Sequence, residues 1–152
     1  MNTEGALLDR KVLESREAVV AEAYRLISFE PESGPDWKRF NALFAERAVL
    51  ALRVFPEDDS ISVMDVDEYA TTLMRKGMRE QGYTEVQLRT DWFEFGDMAE
   101  ARVIFEIRFG DADPIPALDI FQLVRREGRW WIVSIVADIP KPGVGIPADF
   151  LR

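Results

Sequence analysis

The chain has 152 residues, of which 47% are hydrophobic and 31% charged, which is the usual size and composition of one globular domain. Its 19 basic and 28 acidic residues give a net charge of −9, which repels phosphate backbones and anionic lipids and argues against nucleic-acid or membrane partners. There is no cysteine and no histidine, so thiol catalysis, disulfides, Ser-His triads and metal sites built from thiolate or imidazole are excluded. We expect no cofactor.

The first quarter of the chain predicts two helices. Apolar residues recur at helical spacing from about Asp9 to Phe29, and a second, shorter helix follows with Asp36 as its N-cap. A strand over Ala48–Phe55 comes next, and a short returning strand at about Ile61–Val63. The sequence Asp65-Val-Asp-Glu68 fits a capping box that begins a third helix.

The second half of the chain predicts two antiparallel hairpins. The first turns at Gly96-Asp97, which places Asp91 opposite Arg102, Glu85 opposite Arg108, and Leu88 opposite Phe105. Opposite charges then meet on one side of the hairpin and apolar groups on the other. This hairpin is therefore predicted to have one solvent-exposed face and one buried face.

The second hairpin turns at Glu127-Gly128 and is apolar on both faces. One predicted face carries Asp119, Phe121, Leu123, Trp130, Ile132, Ser134, Val136 and Asp138. The other carries Ile120, Val124, Trp131, Val133 and Ile135, and no helix remains in the chain to cover these residues. We therefore predict a homodimer that buries this second face.

Residues 139–152 form an extension rich in proline and glycine that can continue neither a helix nor a central strand. Its apolar residues predict that it packs on the protein: Ile139, Val144, Ile146, Phe150 and Leu151. The N-terminal residues lack the basic and apolar segments of a secretory signal, and no apolar stretch is long enough to cross a bilayer. We expect a cytoplasmic protein with a single domain over residues 1–152.

Three short segments carry a resemblance to a known family. They are Phe40-Asn-Ala-Leu-Phe-Ala-Glu-Arg-Ala-Val-Leu50, Asp119-Ile-Phe-Gln-Leu123 and Gly128-Arg-Trp-Trp-Ile-Val133. Together with the order of the elements, they resemble the nuclear-transport-factor-2-like superfamily, and within it the SnoaL-like polyketide cyclases, isomerases, dehydratases and epoxide hydrolases. The resemblance implies an α+β fold of the cystatin-like kind: a strongly bent antiparallel sheet that wraps around three N-terminal-half helices to form a cone.

The same resemblance implies an apolar pocket of ligand size inside the cone. The aromatic and aliphatic residues expected to line it, several of which are also core candidates, are Trp37, Phe40, Phe44, Trp92, Phe105, Phe121, Trp130 and Ile132. The expected ligand is a small, largely apolar molecule.

Acid–base chemistry in a chain without histidine or cysteine requires carboxylates or tyrosines. In the predicted strand pairing, Asp119 and Asp138 are diagonal neighbours on the face that carries Trp130, with backbones about 7–8 Å apart. Two carboxylates beside an apolar wall acquire different pKa values, so one can act as acid and the other as base. A structural role for both, in ion pairs or backbone contacts, is the competing interpretation.

Tyr24 lies where the resembling ketosteroid isomerases carry their oxyanion-hole tyrosine, which makes it the candidate hydrogen-bond donor. The same alignment places Leu52 where those isomerases carry their base, which argues against steroid isomerisation by their mechanism. The resembling epoxide hydrolases use an Asp-Arg-Asp set, for which Arg53 and Arg108 are the candidate arginines. Two functions stay open: a cofactor-free acid–base enzyme (isomerase, dehydratase, cyclase or hydrolase) and a non-catalytic module for ligand binding or assembly.

Overall fold

The computed structural model of the chain describes residues 7–140 and 145–146. In them the helices are α1 (Arg10–Leu13), α2 (Arg16–Ile27), α3 (Trp37–Ala42), α4 (Val66–Leu73) and α5 (Met78–Gln81). The strands are β1 (Phe44–Leu52), β2 (Ser62–Met64), β3 (Tyr83–Phe95), β4 (Met98–Phe109), β5 (Ile115–Arg126) and β6 (Arg129–Asp138).

The first predicted helix is divided in two at Ser15. This residue has an extended backbone, and its hydroxyl accepts a hydrogen bond from the Ala18 N–H at 3.1 Å, so it is the N-cap of α2. The other two predicted helix starts are confirmed. Asp36 caps α3, and Asp65 with Glu68 forms a complete capping box at α4.

The six strands form one curved sheet in the order β2-β1-β6-β5-β4-β3. Neighbouring strands are antiparallel except for β1 and β6, which run parallel. Helix α2 packs against β3 and β6, while α3 and α4 pack against β1. The predicted α+β class, with a bent sheet around helices of the N-terminal half, is confirmed.

Both hairpin turns lie where the sequence predicts them. Phe95 pairs with Met98 around Gly96, which has a φ of 58°. Arg126 pairs with Arg129, and between them Glu127 and Gly128 have φ values of 59° and 75°. Positive φ at the turn positions matches the right-handed twist of the strands, and glycine adopts it without a steric penalty.

The first hairpin departs from its predicted pairing at Leu88. Asp91 lies opposite Arg102 as predicted, but a β-bulge lies between Gln87 and Arg89. Beyond it, Glu85 pairs with Ile107, so the predicted partners of Glu85 and Leu88 are wrong. Because directly opposed residues share a face of the sheet, and Ile107 is buried in the core, the bulge turns Glu85 toward the inside.

The second hairpin departs from its predicted pairing at Val133. Leu123 pairs with Ile132 as predicted, and Gln122 then pairs with Ser134, which leaves Val133 as the extra residue of a bulge. From this point the two faces of β6 are exchanged relative to the prediction. Ile135 is buried and Val136 is 49% exposed.

The inner face of the sheet and the facing sides of α2, α3 and α4 enclose the core. Its fully buried side chains of largest volume are Phe121, Leu43, Leu50, Leu73, Met78, Leu123, Ile132, Val19, Val20 and Val103. The outer face of the sheet is partly apolar, and its side chains include Val49, Phe93, Phe95, Met98 and Val136, which are 42–73% exposed.

The described part of the C-terminal extension begins inside the core. Ile139 is 7% exposed and packs in the apolar cluster, and Ile146 is partly buried. The other apolar residues of the predicted packing, Val144, Phe150 and Leu151, lie outside the described residues. None of the helices in the described ranges is long and apolar enough to cross a membrane.

Candidate functional site

A cavity lies between α2, α4 and the inner face of the sheet. Its volume is about 50 Å³, room for a few waters or one small organic molecule. Its walls are mainly apolar, and its lining is Ala23, Tyr24, Ile27, Phe40, Leu50, Leu52, Arg53, Val54, Tyr69, Tyr83, Glu85, Phe105, Ile107, Ala117, Asp119, Phe121, Ile135, Ala137, Asp138 and Ile139. The polar members of this set define the chemistry of the site.

Asp119 and Tyr24 form the first polar pair of the cavity. Asp119 is the only buried charged side chain among the described residues, at 6% exposure, and its Oδ2 accepts a hydrogen bond of 2.5 Å from the Tyr24 hydroxyl. Burial raises the pKa of the Asp119 carboxyl well above its ordinary value, and the nearby Glu85 adds to the rise. Asp119 therefore retains its proton at a pH where most aspartates have lost theirs.

Glu85 and Tyr83 form the second pair. Both lie on the inner side of β3 because of the bulge at Leu88, and the Tyr83 hydroxyl donates a hydrogen bond to Glu85 Oε2. Burial raises the pKa of the Glu85 carboxyl to about 7 against the opposing effect of that hydrogen bond. Close to neutral pH, Glu85 is therefore divided between its protonated and ionised forms.

Ser28 connects these two pairs through the backbone. It lies just after α2, where its hydroxyl donates to the Tyr24 carbonyl at 2.9 Å and accepts from the Glu85 N–H at 3.0 Å. The last turn of α2 is thereby fixed against β3 at the level of the cavity.

Tyr69 supplies a third phenol from α4. Its ring is 5% exposed and lies against Trp37 and Phe40, with ring centroids 6.1 and 6.3 Å away. Burial, together with the charges of Glu85 and Asp119, raises the pKa of Tyr69 well above its ordinary value. No hydrogen bond joins its hydroxyl to another described residue. Since every fully enclosed polar side-chain atom in the described part of the chain has a partner, this hydroxyl reaches the open space of the cavity.

Arg53 and Asp138 line the cavity where it meets the solvent. Asp138 lies opposite Leu118, on the outer face rather than on the face of Asp119, because the bulge at Val133 reverses the predicted orientation. Its side chain is 50% exposed, and its Oδ1 accepts from Arg53 Nε at 2.9 Å. The prediction that Asp138 shares the inward face of Asp119 is therefore wrong, although both residues line the cavity. Of the two candidate arginines, Arg53 contacts an aspartate and the exposed Arg108 lies on the outer face opposite Thr84.

Three of the eight residues predicted to line a pocket line this cavity: Phe40, Phe105 and Phe121. Trp37 supports the cavity from outside, since it packs edge-on against Phe40 and Tyr69. Trp92 packs at the edge of the core beneath the guanidinium of Arg16. The remaining three, Phe44, Trp130 and Ile132, are buried in the core away from the cavity.

Sequence reasoning places Tyr24 and Asp119 in the site and omits Glu85, Tyr69 and Tyr83. The predicted charge pairing of Glu85 with Arg108 places Glu85 on the outer face of the sheet. The bulge that reverses this orientation cannot be predicted, because no glycine or proline lies at it. Tyr69 could have been found from its place on the apolar side of the third predicted helix, beside Val66 and Leu73.

Comparison with known proteins identifies the fold. No protein-family model matches the sequence, and no protein of curated function is significantly similar to it. Solved structures do match. An NTF2-like protein with a cystatin-like fold from Novosphingobium aromaticivorans has a TM-score of 0.66 at 18% identity, covering 95% of this chain and 89% of its own.

Two further solved structures agree. A protein of unknown function with a cystatin-like fold from Nostoc punctiforme has a TM-score of 0.63 at 14% identity, covering 84% of this chain and 90% of its own. An NTF2-like protein of unknown function from Pseudomonas putida has a TM-score of 0.64 at 12% identity, covering 82% and 83%. The chain has the cystatin-like fold of NTF2-like proteins, as its sequence motifs predict. Identities this low define the fold and leave the activity to be argued from the site.

Proposed function

We propose that this protein binds a small, largely apolar molecule in the cavity and catalyses proton transfer on it without a cofactor. One observation supports this above the others: two carboxyl groups, Glu85 and Asp119, line one apolar cavity, and each is held by a tyrosine. Strongly perturbed carboxyl groups in a cleft are typical of acid–base sites.

The two carboxyl groups have different roles in the proposal. Glu85, with a pKa of about 7, is ionised in a large fraction of molecules at neutral pH and acts as the base. Burial raises the pKa of Asp119 and so favours its protonated form, and Tyr24 occupies its Oδ2. In that form the other carboxyl oxygen can donate a hydrogen bond to an oxygen of the ligand that gains negative charge. In this proposal Glu85 replaces Asp138 as the partner of Asp119 in the acid–base pair, and the Tyr24 hydroxyl donates to Asp119 instead of to the ligand.

The proposal is tested with a small ketone as a probe. We expect the protein to accelerate exchange of the α-hydrogens of cyclopentanone in D2O, followed by proton NMR, with a rate that rises as the pH increases through 7. Glu85→Gln removes the base at nearly constant shape and should lose about a hundredfold in rate. Glu106→Gln, on the outer face of β4, is the matched control and should keep it.

Absence of acceleration by the natural protein, or equal rates in Glu85→Gln, would refute the catalytic part. The second candidate function would then apply, namely binding without chemistry. It is favoured by one observation: both carboxyl groups already accept a hydrogen bond within the protein, as purely structural groups would.

A homodimer through the outer face of the sheet completes the proposal. Ile120, Val124, Trp131 and Val133 are partly buried, and Val136 and Phe93, 49% and 58% exposed, belong to the same outer face. Apolar surface of this kind is typical of an interface between copies. We expect sedimentation to show a dimer at micromolar concentration and Val136→Arg to convert it to monomer. A monomeric natural protein would contradict this.

A further inference from the structure

We propose that the polar group of the ligand is a positively charged nitrogen: the cavity is a site for a small alkylammonium ion, with Glu85 as the counter-charge. This inference rests on the binding role proposed above and is independent of the catalytic role. It specifies the chemical class of the ligand from the groups that line the cavity.

The hydrogen-bonding groups of the cavity are mainly acceptors. The O–H groups of Tyr24 and Tyr83 are both used, since they donate to Asp119 and Glu85. What remains toward the cavity is one oxygen of each carboxyl group, the lone pairs of the phenols and the hydroxyl of Tyr69, and Asp119 adds a donor when it is protonated. The ionised form of Glu85 supplies a charged acceptor. An ammonium group complements that acceptor and the phenol lone pairs, whereas a carboxylate ligand would meet the negative charge of Glu85.

The hydroxyl of Tyr69 is the second observation that indicates a ligand. Its residue is 95% buried, and the hydroxyl has no partner in the described ranges although it reaches the cavity. A hydroxyl that opens into a cavity and has no protein partner is available to bond to water or to a ligand. An N–H of the bound cation can donate to this oxygen.

The walls of the cavity are suited to a cation as well. The ring of Tyr24 lies 5.4 Å from Phe105 and 5.7 Å from Phe121 between centroids, and Phe40 lies 6.3 Å from Tyr69 on the other side. Aromatic faces around a cavity attract organic cations, most strongly where water is excluded. The volume of about 50 Å³ restricts the alkyl group to a short one.

Within residues 7–140 and 145–146, Arg53 is the only basic residue that lines the cavity. Its guanidinium is bonded to Asp138 and to the Asp58 carbonyl at 2.9 and 2.7 Å. Burial favours the protonated form of both carboxyl groups, and no described basic side chain inside the cavity offsets it. A bound ammonium ion removes that preference for Glu85 by pairing with its ionised form.

Binding is therefore coupled to the loss of a proton from Glu85. The titratable and charged groups around Glu85 are Tyr83 on its own strand, Tyr24 on α2, Tyr69 on α4, Asp119 on β5, and the Arg53–Asp138 pair where the cavity opens. Burial raises the pKa of the three phenols and of the Asp119 carboxyl and so favours their neutral forms, while Glu85 has its pKa close to neutral pH and is the group whose titration we follow. With a pKa of about 7, its ionised fraction increases about tenfold from pH 6 to pH 8, and the apparent affinity increases in proportion.

The test compares three probes of similar size: propylammonium, 1-propanol and propionate, titrated into the full chain and followed by amide NMR shifts. We expect propylammonium to bind most tightly, about tenfold better at pH 8 than at pH 6. Glu85→Gln should weaken it at least tenfold and Tyr69→Phe about threefold. Glu106→Gln, whose carboxylate lies on the outer face of the same sheet, should bind as the natural protein does.

Equal binding of 1-propanol at pH 8, tighter binding of propionate, or an affinity that does not change with pH would each overturn the cation proposal. The pH series and Tyr69→Phe do not depend on the folding of Glu85→Gln. Ketone exchange without propylammonium binding would overturn this inference and leave the proposed function intact. Propylammonium binding without exchange would support the cation site and refute the catalysis.

Discussion

The two hairpins of the sheet each contain one extra residue, and the two insertions have opposite consequences for the site. In the β3–β4 hairpin the bulge at Leu88 turns Glu85 inward, into the cavity. In the β5–β6 hairpin the bulge at Val133 turns Asp138 outward, to the solvent-exposed rim and the guanidinium of Arg53. Because side chains alternate along a strand, one inserted residue decides which of two carboxylates becomes an interior acid.

The largest expected effect tests the second bulge directly. Ile135 is 7% exposed and Val136 is 49% exposed, the reverse of what an unbulged strand predicts. Ile135→Ala should destabilise the fold by about 2–5 kcal/mol, since it removes buried methyl groups and leaves a cavity. Val136→Ala, at the neighbouring position, is the control. When it is measured at a protein concentration low enough to keep the protein monomeric, it should change the free energy of unfolding by about 0.5 kcal/mol or less. Urea unfolding measures both, and an inverted order would contradict the bulge.

A smaller effect separates the two carboxylates by pH. Since the folded-state pKa of Glu85 is raised from 4.5 to about 7, its contribution to stability is complete below pH 4.5 and is lost as the pH rises through 7. Glu85→Gln should therefore stabilise the fold relative to the natural protein at pH 8, by about 1–3 kcal/mol, and have little effect at pH 5. Asp138→Asn removes the charge of a half-exposed carboxylate that pairs with Arg53, while the amide oxygen can still accept from the Ile139 N–H, and it should cost about 1 kcal/mol or less. Thermal unfolding at the two pH values distinguishes the variants, and a destabilised Glu85→Gln at pH 8 would argue against a raised pKa of Glu85.

Much of the architecture follows from local signals in the sequence. Asp36, Asp65 and Glu68 define helix starts because their side chains bond to the free N–H groups there, and Gly96 and Gly128 define turns because they adopt positive φ. These are short-range effects, and each involves residues close together in the chain. They suffice to predict the order of elements and the fold.

The site is less predictable because it depends on which face a residue occupies far from the turn. Tyr24 and Asp119 were identified because each lies on a regular element. Glu85 and Asp138 were assigned to the wrong faces because Leu88 and Val133 have no composition that distinguishes a bulged residue from an ordinary strand residue. The predicted pairing of Glu85 with Arg108 places opposite charges across the hairpin, as does the observed pairing of Asp91 with Arg102. Both pairings are therefore equally plausible from the sequence, and nothing in it indicates a bulge between them.

Ser28 determines which parts of the cavity can move. Its hydroxyl bonds to the backbone of both Tyr24 and Glu85, so α2 cannot slide along β3 without breaking two hydrogen bonds at once. The distance between the Tyr24–Asp119 pair and the Tyr83–Glu85 pair is therefore set by backbone hydrogen bonds. A ligand larger than the present cavity has to displace either Tyr69 on α4 or the ion pair of Arg53 and Asp138. Changes at those two places could therefore alter the size of the ligand without disturbing Glu85 and Asp119.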